Sequence, residues 1–395
     1  MSVAALDSLL SPEGWPYASA PPVEPGDPGR FHALFGRDSL ICALQVLPAR
    51  PQVAAATLRA LASLQGRVDD ADTDEEPGKI PHEHRPQAPD WLVERDWPVR
   101  DGALLYYGSA DSTLWFLVVL AALGDEAVTA ELEPAWRAAA GWLERALDRG
   151  GGLVRYGPRE RPGGLAQQGW RDAAGSEEGR AQGSGILRPD GSPPRAPQAD
   201  ADVQAVAYAA LRGLHALAGA EAWSRRAEAL AARLKRDFGP GVMALEGDDL
   251  GVPGPGSQLG WLLWSGALSD AARASVAERL CEPDVLTAYG LRTLASTSPV
   301  FDPQAYHRGS VWPFDSWLGW GGLRAAGRPE AAERVRSGVL AALERLGLAP
   351  ELYAVTRAGE LEPAPSANRV QAWTVGARWA LENDWDGRPG FLQRG

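Results

Sequence analysis

The densest chemical vocabulary in this 395-residue chain lies in one stretch, Gln167-Gln168-Gly169-Trp170-Arg171-Asp172. A Gly/Pro/Arg-rich run precedes it, and a polar stretch spanning residues 173–199 follows. Long loops inside compact domains are usually functional or disordered. An acid set beside an aromatic ring and two amides suits general acid chemistry, because partial burial against the ring disfavours the charged carboxylate. The competing reading is a helix N-cap, a position that Asp favours. Ala173-Ala174-Gly175 is a poor helix start, however, and capping leaves Gln167, Gln168 and Trp170 unexplained. Asp172 is therefore read as a catalytic acid.

Carboxylates without a metal are suited to acid–base work, and glycoside hydrolysis needs two of them. One protonates the leaving oxygen, and the other activates water or attacks the sugar. The chosen partner is Glu351, in Pro350-Glu351-Leu352-Tyr353 between two helices. Its local context alone does not separate it from Asp38, Glu83, Asp111 or Asp315. Further carboxylate, Arg, His and Trp side chains stand in loops around Arg37-Asp38, His82 to Arg85, Tyr107 to Asp111 and His307 to Trp312. Loops held by a rigid scaffold are where binding and catalysis concentrate. Tryptophan is in excess, 16 against 7 Phe and 8 Tyr, and Trp170, Trp261, Trp264, Trp312, Trp317, Trp320 and Trp373 sit near Gly, Asp or Ser. A polar-tipped ring in such a setting suits stacking on the flat face of a sugar.

Other chemistries find less support. There is no phosphate-cradling Gly-Lys-Ser/Thr element and no dinucleotide fingerprint, and no Ser sits in a nucleophile elbow. The five His (His32, His82, His84, His215, His307) include no pair at helical metal spacing, and Pro81 and Pro86 around His82-Glu83-His84 suggest an irregular segment. No metal site and no cofactor are expected. A formal charge of −12 disfavours a nucleic-acid partner. No run approaches a membrane span, and the N-terminus lacks a signal-peptide pattern, so the expectation is a cytoplasmic protein with no membrane partner. Cys42 and Cys281 do not make a disulfide framework and read as inert thiols. Nothing in the sequence fixes an oligomeric state.

The elements that must position these groups are helical. Apolar periodicity places helices over residues 40–47, 52–64, 113–123, 131–147, 202–218, 221–238, 260–267, 269–280, 288–294, 310–326, 329–346 and 369–381. Short connections alternate with long polar loops, the pattern of helical hairpins stacked in a ring with the long loops at one end. No fixed-period repeat indicates a solenoid, and no linker separates two cores. Residues 1–30 read as an irregular N-terminal segment and residues 31–395 as one catalytic domain.

Seven motifs occur in order: Gly36-Arg37-Asp38-Ser39, Glu76-Pro77-Gly78-Lys79-Ile80-Pro81-His82-Glu83, Tyr107-Gly108-Ser109-Ala110-Asp111, Gln168-Gly169-Trp170-Arg171-Asp172, His307-Arg308-Gly309-Ser310-Val311-Trp312-Pro313, Pro350-Glu351-Leu352-Tyr353 and Gln371-Ala372-Trp373. Together they resemble the catalytic domain of bacterial amylo-α-1,6-glucosidase (glycogen-debranching-like) proteins, which are related to glycoside hydrolase families 15 and 63. The resemblance implies an all-α fold, an (α/α)6 barrel of the six-hairpin glycosidase type, with inverting hydrolysis of α-glycosidic bonds at one mouth. Asp172 matches the general acid and Glu351 the general base. Inversion would set the two carboxyls about 6.5–9.5 Å apart to admit water. Arg37 and Asp38 resemble the pair that holds hydroxyls of the sugar at the cleavage point. His82, Glu83, Trp170, His307 and Trp312 resemble subsite walls, and Tyr107, Asp111, Gln168, Arg171, Gln371 and Trp373 complete the expected substrate-binding set. Relatives commonly read Trp-Lys-Asp-Ser where this chain has Trp170-Arg171-Asp172-Ala173. Many also carry an N-terminal β-rich domain, whereas here the barrel motifs begin almost at once.

The leading expectation is an exo-acting α-glucosidase on α-linked gluco-oligosaccharides or small glucosides. The alternatives are a hydrolase of a glucosylglycerate- or mannosylglycerate-type compatible solute, a non-catalytic carbohydrate-binding barrel and, more remotely, a sugar epimerase.

Overall fold

The computed structural model describes residues 3–22, 30–157, 163–174 and 183–393. Six helices form an inner ring: α1 (Gly36–Gln45), α3 (Ser112–Leu123), α5 (Ala201–Ala218), α7 (Gln258–Ser265), α9 (Pro313–Ala325) and α11 (Ala372–Glu382). All ten residues of α1 are buried, as are all eight of α7. α3 is apolar on every side, and such a helix is satisfied only by burial on every side. Each inner helix packs on the next, and α11 returns to α1, so the ring closes.

An outer layer backs this ring. α2 (Pro51–Ser63), α4 (Glu133–Arg149), α6 (Glu221–Asp237), α8 (Asp270–Leu280) and α10 (Pro329–Leu346) each pack on the inner helix that precedes them. Their patterning is one-sided: α4 buries Trp136, Ala139, Ala140, Leu143, Ala146 and Leu147 and turns Arg137, Glu144 and Arg145 outward. This is the (α/α)6 barrel. Behind α11, the N-terminal segment takes the sixth outer place. A 3-10 helix, Val3–Leu9, packs there with Leu6 and Leu9 buried. The stretch expected to be irregular thus supplies part of the barrel wall, because its apolar residues fall at the spacing of one helical face.

Inner helices α7 and α9 touch through glycine. A Cβ on Gly260 would lie 2.5 Å from the Gly319 Cα, and one on Gly322 would lie 2.3 Å from the Gly260 carbonyl oxygen. Only hydrogen fits at that crossing.

Short antiparallel ladders line the end that carries the long loops. Leu34–Phe35, Glu83–Arg85, Ala103–Tyr106 and Val99–Arg100 form one sheet, with Glu83 opposite both Phe35 and Tyr106. The His82 segment is therefore a strand end rather than irregular; Pro81 and Pro86 bound it without interrupting the three-residue ladder. The helix expected over 288–294 is also absent. Leu286–Thr287 and Gly290–Leu291 form a hairpin, in which the Thr287 hydroxyl receives the Tyr289 N–H and donates to the Gly290 carbonyl. That local hydrogen bonding, with Gly290 at φ +122°, outcompetes the helix. Among the described residues no helix is long and apolar enough to cross a membrane.

Candidate active site

All six inner helices start at the same end of the barrel, and the polar residues found there are the first residues of those helices. Arg37 and Asp38 lie in the first turn of α1. Asp111, Asp200, Ser257, Trp312 and Gln371 occupy the N-cap positions of α3, α5, α7, α9 and α11. None of these N-cap side chains caps its own helix; they bond across to neighbours instead. The positive ends of six helix dipoles thereby surround a cluster of carboxylates and offset part of its charge.

Arg37 organises one side of this floor. Its Nη2 donates to Asp172 Oδ2 at 2.6 Å, its Nη1 to the Gly169 carbonyl at 3.1 Å and to Asp111 Oδ1 at 3.4 Å, and its Nε lies 3.6 Å from Asp38 Oδ1. Asp111, expected to bind substrate, takes the Ser109 hydroxyl at 2.7 Å and faces Arg37. Asp172 keeps 21% of its side chain exposed while Arg37 keeps 5%, so the acid opens from a buried base plate. Burial raises the Asp172 pKa, and the Arg37 contact partly offsets that rise. The N-cap alternative fails here, because Ala173–Ala174 is a strand paired with Leu165–Gln167.

His307 sits against the acid's backbone. Its Nδ1 accepts the Gly185 N–H at 3.1 Å, so the ring proton belongs on Nε2, which serves the hydrogen bond to the Asp172 backbone. Burial, aided by the guanidiniums of Arg171 and Arg37, holds this ring well below the usual histidine range and therefore neutral. Gln167 pins the same loop, exchanging two hydrogen bonds with the Ile186 backbone at 2.6 and 2.8 Å.

Glu351 lies on the other side, 2% exposed. Its Oε1 accepts the Tyr306 hydroxyl at 2.6 Å, and its Oε2 takes the Asn368 N–H at 3.3 Å and Nδ2 at 3.5 Å. Burial pushes its pKa up to about 8, moderated by the Tyr306 and Asn368 bonds and reinforced by the charges of Asp38 and Asp172. A polar belt joins the two acids. Asn368 Nδ2 donates to Gln371 Oε1 at 3.1 Å, and Gln371 Nε2 to Asp38 Oδ2 at 3.4 Å; Asp38 adjoins Arg37, and Arg37 holds Asp172. Asp38 itself is pushed up to about 7 by burial.

Several expected binding residues face elsewhere. Arg171 is 1% exposed; it pairs with Asp202, donates to Ser257 Oγ at 2.8 Å and lies 4.3 Å over the Trp170 ring. It anchors the acid's loop from beneath, with no surface left for a ligand. Tyr107 donates its hydroxyl to the Leu64 carbonyl at 2.7 Å, and Gln168 Nε2 reaches Asp74 Oδ2 at 3.3 Å. Both are scaffolding, because each polar tip is committed to the protein. Glu83 is held by Arg85, which lies against the Phe35 and Trp91 rings, and burial lifts its pKa. His82 is buried between Phe35 and Tyr106 and kept neutral by burial and the nearby Arg37 and Lys79. Trp170, Trp312 and Trp373 are almost wholly buried and stack on protein: Trp170 on Trp261 at 5.9 Å and 6°, Trp312 on His307 at 5.3 Å, Trp373 on Phe314 at 3.9 Å. They form the floor of the mouth rather than open stacking platforms.

Sequence reasoning missed Tyr306 and Asn368. Each precedes a recognised motif by one to three positions, and only the fold shows that both meet Glu351. It also missed Asp200, which accepts the Tyr156 hydroxyl at 2.6 Å and the Gln198 amide at 2.6 Å. A Cβ on Gly169 would lie 2.4 Å from Asp200 Oδ2, so the acid's loop needs glycine there.

A family profile described as the mannosylglycerate hydrolase MGH1-like glycoside hydrolase domain matches residues 35–374. No curated protein matches the sequence. Among solved structures, the chain is similar to a GH63 mannosylglycerate hydrolase from Thermus thermophilus in complex with Tris, with TM-score 0.66 at 20% identity over 96% of this chain and 98% of that one. It is similar to the same hydrolase with Tris and D-glycerate, with TM-score 0.66 at 19% identity and the same coverage. It also matches the neutral trehalase Nth1 from Saccharomyces cerevisiae, with TM-score 0.58 at 17% identity over 95% and 76% of the two chains.

Proposed function

This chain belongs to the mannosylglycerate hydrolase MGH1-like glycoside hydrolase family, and we propose that within it the protein is an inverting α-glycosidase of small glycosyl-glycerate-type solutes. Asp172 is the general acid and Glu351 the general base. The carrying observation is the belt from Asp172 through Arg37, Asp38, Gln371 and Asn368 to Glu351. It links two carboxyls from distant parts of the chain, each with its proton affinity raised by burial. In the reaction Asp172 gives its proton to the glycosidic oxygen as that bond breaks, while Glu351 draws a proton from the water that attacks the anomeric carbon. Arg37 and Asp38, which lie between them, hold hydroxyls of the departing sugar.

A glycerate aglycone requires a cation, and Arg37 is already committed to carboxylates. Arg308 is better placed for this task. It follows His307, is half-buried, and its Nε is buried without a hydrogen-bond partner among the described residues. Family membership and the relative crystallised with D-glycerate support this aglycone over a gluco-oligosaccharide.

The test is a panel of mannosylglycerate, glucosylglycerate, maltose and isomaltose, with the first-formed anomer followed by NMR. The expected result is preferred turnover of a glycerate conjugate with the β-anomer appearing first. Faster cleavage of maltose or isomaltose would return the protein to the α-glucosidase reading, and retained configuration would remove the base role. Arg308→Gln should raise KM for the glycerate conjugate by about tenfold or more, the loss expected for one charge-assisted hydrogen bond, and leave KM for an uncharged glucoside unchanged. Equal KM changes for both substrates would exclude the assignment.

A further inference from the structure

We infer that Tyr306 is a positioning residue for the base and that Glu351 Oε1 is the atom that takes the proton from water. This rests on the reading of Glu351 as the general base. The geometry is specific about the atom. A carboxylate oxygen accepts about two hydrogen bonds. On Oε2 both places are taken by the backbone and side-chain nitrogens of Asn368. On Oε1 the Tyr306 hydroxyl takes one, at 2.6 Å, leaving the other for water. The proton passes from that water to Oε1 as the water oxygen bonds to the anomeric carbon, and the bond to the leaving oxygen breaks as that oxygen takes the Asp172 proton. Nothing else need be gained or lost.

Tyr306 is held for this purpose. Its carbonyl accepts Trp312 Nε1 at 2.9 Å and the Ser310 hydroxyl at 2.7 Å. Its ring meets His307 and Trp312 edge-on at 4.7 and 4.8 Å. Burial and the facing Glu351 keep its hydroxyl protonated far above the working range, so it acts as a donor throughout. The other groups around the base are Asp38 and Asp172, which oppose its ionisation, Arg37 beyond them, and neutral His307.

The test is the pH dependence of kcat/KM for Tyr306→Phe. Glu351 sits at about 8, and Asp172, though raised, has Arg37 on its carboxylate to restrain the rise. Each limb of the profile follows one of the two carboxyls. Removing a donor to the carboxylate tightens the base's proton further. A hydrogen bond to a charged group corresponds to roughly one pH unit or more. Tyr306→Phe should raise the limb set by Glu351 by about one unit and leave the limb set by Asp172 in place. Asn368→Ala should move the same limb less, because its side-chain bond is long and its backbone N–H remains. A uniform loss at every pH with both limbs unmoved, in variants whose thermal melts match the parent, would overturn the inference. Glu351→Gln run alongside keeps the two readings apart: if it retains activity, the base assignment fails, whereas if it is inactive and Tyr306→Phe moves no limb, only the role of Tyr306 fails.

Discussion

Asp172→Asn should lower kcat on an alkyl glycoside by about 10²–10⁴-fold, the range for removing a positioned general acid, and far less on a glycosyl fluoride. Fluoride leaves without a proton, so the loss should follow the basicity of the leaving group. Glu351→Gln should fall within the same range on both substrates, because attack by water needs the base whatever departs. The variants are conservative in shape. The amide in Asp172→Asn would still offer an oxygen to Arg37 Nη2, and the amide in Glu351→Gln would still accept the Tyr306 hydroxyl, at the cost of turning its nitrogen toward the Asn368 donors. A parallel fall for the two variants across all leaving groups would show that the roles are not divided as proposed. An Asp172→Asn enzyme with parental kcat on alkyl glycosides would remove Asp172 from the chemistry.

The proposed division of labour is partly legible in the sequence. Asp172 stood out because its neighbours make poor packing choices: two amides, a glycine and an indole in a loop. The helix content was equally visible, since an inner helix such as α3 has no polar face to interrupt its pattern. Glu351 was not distinguishable from other loop acids by its own surroundings, because what marks it is a phenol, an amide and a distant aspartate brought in by folding. The tryptophan excess was real but misassigned in part. A sequence cannot tell an indole that stacks on a sugar from one that stacks on Trp261 or Phe314. The same limit applied to Tyr107 and Gln168, whose polar tips meet the Leu64 carbonyl and Asp74 rather than the mouth.

Arg171 shows why adjacency to a candidate catalytic group misleads. Residues 169–171 form a bend, so while Asp172 opens toward the mouth, Arg171 turns beneath it onto the Trp170 ring. There it meets Asp202, the second residue of α5, and the N-cap Ser257 of α7, locking the acid's loop to two inner helices. Burial raises the Asp202 pKa and Arg171 opposes that rise, so the pair holds its charges only as a pair. Arg171→Met should cost about 3–5 kcal/mol of stability, the usual penalty for stranding one partner of a buried ion pair, read as a lower urea midpoint. Adding Asp202→Leu should recover most of it, because the uncompensated carboxylate is then gone. A substrate-binding Arg171 would behave differently: the single variant would keep its urea midpoint and lose only KM, and Asp202→Leu would restore nothing. The double variant also separates support from chemistry. With stability recovered, any remaining loss in kcat measures how far the loop of Asp172 drifts once it is no longer tied to α5 and α7.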